Sequence, residues 1–300
     1  MSITAGTSST GYEVIPPETD CSSLPEASEL WLDTGATVHA MTDDTVRVER
    51  QGALLLIGLN RPAKGNSFTM PMLAALAAAY AELDTDPDLR CGVLYGLGSH
   101  FTTGLDLAQV APAVAEGPFS YPPDALDPLA VSGRARTTPL VAVAHGWCIT
   151  IGIELLLAAD VRIAAADTRF KQMEVQRGIY PFGGATIRLP REAGWGNAMR
   201  WLLTGDEFDP AEALRLGLVQ EVVEPGRQLD RAVELADRIA AQAPLAVKAI
   251  LVSARRAVLE GESAAAEQLH PELLPLLASE DAKEGVRSFV ERREARFTGR

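Results

Sequence analysis

Residues 140–160, LVAVAHGWCITIGIELLLAAD, form a nearly uncharged stretch of the chain. By hydropathy alone, about 20 consecutive apolar residues predict a helix that spans a membrane. Two glycines within the stretch argue against a single membrane helix. The β-branched run before Gly146 is typical of a buried strand, whereas Gly152 precedes a run of helical composition that ends near Ala159. The stretch therefore predicts a buried strand followed by a buried helix.

Glu154 is the carboxylate that interrupts this apolar run, in the first turn of the predicted helix. A buried charge is costly unless it is paired or used, although a glutamate at this position also complements the helix dipole. Glu174 follows 20 positions later in FKQMEVQRG. Two carboxylates that face one apolar pocket can divide acid and base roles, because each raises the pKa of the other. Alternatively, Glu174 is a solvated loop residue beside Arg169, Lys171 or Arg177.

The order of the predicted elements favours the α/β class. Short apolar runs predict strands over 46–49, 53–59, 91–95 and 161–165, and helical spacing predicts a helix over 71–83. We also expect a surface loop over 113–128 and the end of a helix over 131–138. From residue 194 the chain is mostly helical, and the part beyond about 225 is either a subdomain or an oligomerisation arm. Alternation of strands and helices is typical of an α/β fold.

The charge balance bears on possible partners. The chain of 300 residues has 27 basic and 40 acidic residues, a net charge of −13, which disfavours nucleic acid or an anionic membrane as the main partner. The three cysteines are widely spaced, which suits a reducing cytoplasm better than a disulfide framework. The start of the chain lacks the pattern of a signal peptide, so we expect a cytoplasmic protein. Residues 1–40 are rich in Ser, Thr, Pro and Glu and predict a disordered extension.

The sequence lacks complete versions of the common nucleotide-binding and metal-binding motifs. Gly96 and Gly98 are only a fragment of a dinucleotide-binding fingerprint, and neither a phosphate-binding P-loop nor a GxSxG motif occurs. The four histidines show no spacing typical of a metal site, either with each other or with cysteine. We therefore predict no metal site, and we interpret His100 and His145 as structural residues.

Six segments, in the right order over residues 44–300, resemble the crotonase (enoyl-CoA hydratase/isomerase) superfamily. LNRPAKGNSF resembles the family's NRPxxxNA segment, and HFTTGLDL resembles its FxAGADL loop. The central apolar stretch is similar to the glycine-rich segment that carries the family's first catalytic glutamate. FKQMEVQRGIYPFGGATIRL is similar to FxxPExxxGxxPGxGGTxRL, and the segments 203–223 and 279–299 resemble a helix-to-strand element and the closing helix.

The resemblance implies a role for individual residues. Glu154 falls on the first catalytic glutamate and Glu174 on the second. The backbone N–H groups of Leu105 and Ile151 fall on the oxyanion hole. The resemblance further implies substrate binding by residues of the matching loops: Arg61, Asn66, Thr103, Gly104, Asp106 and Phe182.

The sequence departs from the family pattern at three places. The family's Gly-Gly-Gly run is Thr150-Ile151-Gly152, the proline before the second glutamate is Met173, and the glycine after Pro181 is Phe182. These differences bear on the shape of the acyl pocket and, less directly, on the position of the attacking water.

The resemblance implies a crotonase-like spiral of ββα units over residues 41–225, with the active site, and a C-terminal helical trimerisation region over 226–300. It implies a homotrimer, or a hexamer of two trimers, that hydrates trans-2-enoyl-CoA to 3-hydroxyacyl-CoA. Coenzyme A is then part of the substrate, and no separate cofactor is expected. The alternatives are a Δ3,Δ2-enoyl-CoA isomerase of the same fold and a catalytically weak acyl-CoA-binding scaffold. A homologue that binds nucleic acid is disfavoured by the charge of −13.

Overall fold

The computed structural model describes residues 45–300, so the predicted extension over residues 1–40 lies outside the described part of the chain. The strands within it are β1 (Val46–Gln51), β2 (Leu54–Leu59), β3 (Cys91–Gly96), β4 (Leu140–Ala144), β5 (Trp147–Ile149), β6 (Val161–Ala165), β7 (Arg169–Lys171), β8 (Glu207–Phe208) and β9 (Glu221–Val223). The helices are α1 (Met70–Thr85), α2 (Leu107–Glu116), α3 (Ile151–Ala158), α4 (Ala185–Ala193), α5 (Trp195–Thr204), α6 (Pro210–Arg215), α7 (Gln228–Ala240), α8 (Pro244–Glu260), α9 (Glu262–Ala278) and α10 (Glu280–Glu291).

The strands form two sheets, and the chain moves repeatedly from one to the other. The larger sheet has the order β1-β2-β3-β4-β6-β9, antiparallel between β1 and β2 and parallel elsewhere; the smaller has the order β5-β7-β8. Thus β4 leads to β5 and then α3, while β6 leads to β7 and then α4. This repetition is the spiral of ββα units that the family resemblance implies, and it confirms the predicted α/β class.

Helices bury both faces of the larger sheet. Val141 and Val143 of β4 pack in one cluster with the small residues of α7, whereas Ala142 and Ala144 belong to the cluster on the opposite face, with residues of α1 and α3. Strands buried on both faces are expected to be apolar at every position rather than at alternate ones. This explains why the central apolar stretch lacks alternation: its strand is β4 and its helix is α3.

The three C-terminal helices contribute little to the core. No residue of α8 is buried, and only Ala265 of α9 is. Large apolar side chains remain exposed here, among them Leu259 at 79% and Phe289 at 84%. Arg255 joins α8 to the turn before β6, because it donates to Asp160 at 2.9 Å, and it also donates to the Arg136 carbonyl. Within residues 45–300, no helix combines the length and the apolar character needed to cross a bilayer.

The structure corrects two local predictions and adds one strand. Residues 131–138 are not the end of a helix but an irregular segment, in which the backbone N–H groups of Thr137 and Thr138 donate to Asp84 at 2.6 and 2.8 Å. The predicted loop over 113–128 overlaps α2, which continues to Glu116 despite Pro112. The short strand β5 was not predicted, because it lies between the two glycines that separate β4 from α3.

Candidate active site

The loop after β2 is fixed by a buried asparagine. Asn66 is fully buried and has a left-handed backbone, with φ of 55°. Its Oδ1 accepts from Arg61 N at 2.7 Å, and its Nδ2 donates to the carbonyl oxygens of Leu97 and His100 at 2.9 and 2.7 Å. These bonds all end on the protein backbone. The Asn66 side chain therefore supports the loop, and its predicted role in substrate binding stays a prediction.

Asn66 also supports the glycine-rich loop that follows β3. Thr102 donates its hydroxyl to the Asn66 carbonyl at 2.8 Å, and Gly104 N donates to that hydroxyl oxygen at 3.1 Å. Gly104 has φ of 103°, and a Cβ there would lie 2.5 Å from Thr150 Oγ1, so only glycine fits this close approach. The loop thus presses against the start of α3.

Two backbone N–H groups at this contact are left without partners. The bonds of the loop run from Phe68 N to the Gly104 carbonyl and from Asp106 N to the Phe68 carbonyl, so they pass over Leu105. Ile151 is the first residue of α3, where an N–H has no acceptor within the helix. Among the described residues, neither the Leu105 nor the Ile151 N–H donates a hydrogen bond. Both residues line the same cavity.

Thr150, directly before the second of these N–H groups, has an unusual backbone. Its φ is 51° and its ψ is −110°, a conformation that side chains disfavour and that typically costs about 1–3 kcal/mol. Its N–H donates to the Lys171 carbonyl at 2.9 Å, and its carbonyl accepts from Ile153 at 2.9 Å. These bonds hold the turn that directly precedes Ile151, at a position where the family resemblance has glycine.

Glu154 lies one turn into α3 and is 4% exposed. Its Oε1 accepts from Gly183 N at 2.7 Å and from Ala185 N at 3.2 Å. Burial raises the pKa of the carboxyl, while these two N–H groups and the charge of Arg188 lower it. A Cβ at Gly183 would lie 2.4 Å from Glu154 Oε2. The glycine therefore lets the chain before α4 approach the carboxylate closely enough to bind it.

Glu174 begins a short 3₁₀ turn, Glu174–Arg177, after β7 and is 7% exposed. Its Oε1 accepts from Gln172 Nε2 at 2.9 Å, whereas its Oε2 is buried without a hydrogen-bond partner among the described residues. The pKa of Glu174 is raised to about 7, mainly by burial; the negative charge of Glu154 contributes to the rise, and the backbone N–H of Glu174 and the side chain of Gln172 oppose it. Burial is thus the largest cause for both glutamates and raises both pKa values. The two differ in their hydrogen bonds: two backbone N–H groups oppose the rise at Glu154, whereas Glu174 has a buried oxygen without a hydrogen-bond partner among the described residues.

Glu154, Glu174, Leu105 and Ile151 all line one cavity of about 220 Å³. Its wall is otherwise mostly apolar and includes Phe119, Leu129, Ile149, Met173, Ile179 and Phe182. A carboxylate pair beside two unused N–H donors, in apolar surroundings, is suited to moving protons while negative charge develops on a nearby oxygen. The spacing of the two glutamates did not establish that they would share a cavity, and the structure brings them together.

The remaining residues implied by the resemblance lie at the rim or support it. Thr103 and Phe182 line the cavity. Arg61 lies 3.6 Å from Asp106 Oδ2 and donates to the Ser67 carbonyl, so it ties the loop after β2 to the start of α2. Sequence reasoning missed Gln172 and Gly183, which contact the two carboxylates. The Gly183-Gly184 pair before α4 could have indicated this contact, since a close approach of the backbone to a side chain requires glycine.

Comparison with known proteins agrees with this geometry. A sequence model of the enoyl-CoA hydratase/isomerase family matches residues 49–300. The chain belongs to the enoyl-CoA hydratase/isomerase family. It is 38% identical over 268 residues to the enoyl-CoA hydratase EchA19 of Mycobacterium tuberculosis, with 88% of this chain and all of that protein covered. It is 35% identical to the (E)-benzylidenesuccinyl-CoA hydratase of Thauera aromatica, with 85% of this chain and 99% of the relative covered.

A solved structure of the enoyl-CoA hydratase/isomerase family supports the fold as well. The probable enoyl-CoA hydratase/isomerase from Mycobacterium abscessus shares 54% sequence identity and superposes with a TM-score of 0.83. The match covers 85% of this chain and 99% of that one. The predicted crotonase-like fold is therefore confirmed, and a function of the enoyl-CoA hydratase type is supported.

Proposed function

We propose that this protein hydrates trans-2-enoyl-CoA to 3-hydroxyacyl-CoA with Glu154 and Glu174 as its catalytic residues. The observation that supports the proposal is the pair of buried carboxylates that line one cavity together with two residues whose backbone N–H groups make no hydrogen bond within residues 45–300. Hydration needs a group that takes a proton from water and a group that gives a proton to carbon. Glu154, whose carboxylate accepts two backbone N–H bonds, is assigned the first task, and Glu174, whose pKa is raised to about 7, is assigned the second.

The proton balance of one turnover follows from these states. Glu154 takes a proton from water as the water oxygen bonds to Cβ, and Glu174 gives its proton to Cα. The thioester oxygen carries negative charge between these events. When product leaves, Glu154 is protonated and Glu174 is ionised, so one proton must pass from the first carboxyl to the second. The net change is the addition of one water across the double bond.

The N–H groups of Leu105 and Ile151 would stabilise the enolate oxygen. Donors aimed at developing charge are typically worth about 3–4 kcal/mol each. The start of α3 adds the positive end of its helix dipole at the same place. Backbone groups do this work, so the oxyanion site does not depend on the identity of either side chain.

The direct test is the loss of absorbance at the enoyl-thioester band with crotonyl-CoA. Wild type should consume the substrate, and Glu154→Gln and Glu174→Gln should each lose about 10²- to 10⁴-fold in kcat. Glu224→Gln, an exposed carboxyl outside the cavity, is the matched control and should behave as wild type. Absence of turnover by wild type would contradict the proposal. Turnover of a 3-enoyl-CoA instead would favour the isomerase, and tight binding without turnover would favour the acyl-CoA-binding scaffold.

We further propose that α8, α9 and α10 form the interface of a homotrimer, or of a hexamer of two trimers. Exposed apolar side chains such as Leu259, Phe289 and Val290 support this, since a monomer rarely leaves a large apolar face in water. Light scattering should give three or six times the mass of the chain, and Phe289→Glu should lower it. A monomeric wild type would contradict the assignment. The cytoplasmic location stays a prediction.

A further inference from the structure

A second cavity shares part of its wall with the first. It measures about 660 Å³, against about 220 Å³ for the cavity that holds the two glutamates. It is open to solvent, since Tyr180 in its wall is 67% exposed. Three residues, Phe119, Ile179 and Phe182, line both cavities, and we call this shared wall the partition.

Two of the three partition residues are aromatic. The centroids of Phe119 and Phe182 lie 5.7 Å apart, and their planes are inclined by 44°. Tilted aromatic pairs at this distance attract each other beyond the burial of their area. The two rings therefore pack against each other in the wall that the two cavities share.

The two rings are supported differently. Phe182 directly precedes Gly183, whose N–H is bound by Glu154 at 2.7 Å, so its backbone is tied to the proposed catalytic carboxylate. Phe119 lies just beyond the end of α2 at Glu116, in a segment without helix or strand. One ring is therefore anchored to the active site and the other is carried by a loop.

The second cavity is suited to an apolar ligand. Its wall includes Val114, Pro118, Val131 and Tyr180. The charged residue of the wall, Asp127, accepts from the N–H groups of Leu129, Val131 and Ser132 at 2.9–3.0 Å. Its carboxylate is thus already engaged by its own loop, and hydrocarbon is the chemistry that the rest of the wall offers.

We propose that the Phe119–Phe182 pair sets the acyl-chain limit of this enzyme. The inference rests on the proposed hydratase function. With the rings in contact, the catalytic cavity accepts short enoyl groups; with either ring removed, the second cavity receives the far end of a longer hydrocarbon chain. The pair determines specificity and takes no part in the chemistry.

The test compares kcat/KM for a C4 and a C10 trans-2-enoyl-CoA in each variant. Wild type should prefer C4. Phe182→Ala and Phe119→Ala should each raise the C10-to-C4 ratio at least about tenfold, because added methylenes then gain apolar contacts. Ile187→Ala, an exposed residue of α4 outside both cavities, is the control and should keep the wild-type ratio. The two Phe variants approach the partition from different segments, so the result does not depend on the folding of one.

A second substitution identifies the space that the longer chain occupies. Val114 lines only the second cavity. Adding Val114→Phe to Phe182→Ala should return the ratio toward the wild-type value. An unchanged ratio in both Phe variants, or a wild type that hydrates C10 as well as C4, would overturn the inference. Wild type inactive on both substrates would instead refute the hydratase function itself.

Discussion

Replacing Glu174 with glutamine should stabilise the protein above neutral pH while removing its activity. Burial raises the folded-state pKa of this carboxyl from 4.5 to about 7, so the folded protein binds the proton more tightly than the unfolded chain does. Stability from that proton is complete below pH 4.5 and is lost as the pH rises through 7. Because glutamine does not titrate, the Glu174→Gln variant does not lose this stability.

The size of the effect follows from the two pKa values. A pKa difference of one unit corresponds to 1.36 kcal/mol, so the difference between 4.5 and about 7 corresponds to about 3 kcal/mol of folding stability. Most of this stability is lost between pH 5 and pH 8. Because Glu174 is only 7% exposed, solvent screens this term little. Because the same variant is measured at two pH values, any difference in stability between glutamate and glutamine that does not depend on pH cancels.

The assay is urea-induced unfolding of wild type and Glu174→Gln at pH 5 and pH 8. The stability advantage of the variant should grow by about 2–3 kcal/mol between the two pH values. Glu224→Gln, with its exposed carboxyl, should change by less than about 0.5 kcal/mol relative to wild type. An advantage that stays constant or shrinks as the pH rises would refute the reasoning that burial holds the proton on Glu174.

Three further predictions concern the same site. The kcat/KM of wild type should fall above about pH 7, where Glu174 loses its proton, and the residual activity of Glu174→Gln should lack this decline. Gly183→Ala should lower kcat at least about 10²-fold, since its Cβ would displace the bound carboxylate. Gly196→Ala, with nothing within 4 Å, should keep wild-type activity. Asn66→Ala should lose about 3 kcal/mol of stability by removing three part-buried hydrogen bonds to backbone groups, at about 1 kcal/mol each, and a calorimetric melt comparing it with the exposed Asn197→Ala tests this.

The central apolar stretch was interpreted correctly because its two glycines mark real changes of structure. Helical spacing likewise predicted α1, in which Leu73, Leu76, Tyr80 and Leu83 are all buried. These signals are local. The structure of 131–138 is not, because Asp84, some 50 residues earlier, supplies the hydrogen bonds that hold it. Composition alone cannot reveal a partner so distant in the chain.

The candidate site was predictable in part. The family resemblance selected Glu154 and Glu174, and their shared cavity depends on the parallel pairing of β5 with β7, which brings the segments before α3 and after β7 together. The role of Asn66 was not predictable from the motif, because a motif gives a residue type and not the direction of its side chain. The Phe119–Phe182 contact joins segments 63 positions apart that no local pattern connects.

The use of backbone groups as the unpaired donors has a consequence for protein engineering. In the proposed mechanism, Leu105 and Ile151 act through their N–H groups, so their side chains are free to vary as long as the loop conformation survives. Both side chains belong to the cavity wall. Saturation libraries at these two positions should therefore alter substrate range without removing the machinery, whereas Gly104, where a Cβ would collide with Thr150, tolerates no such randomisation.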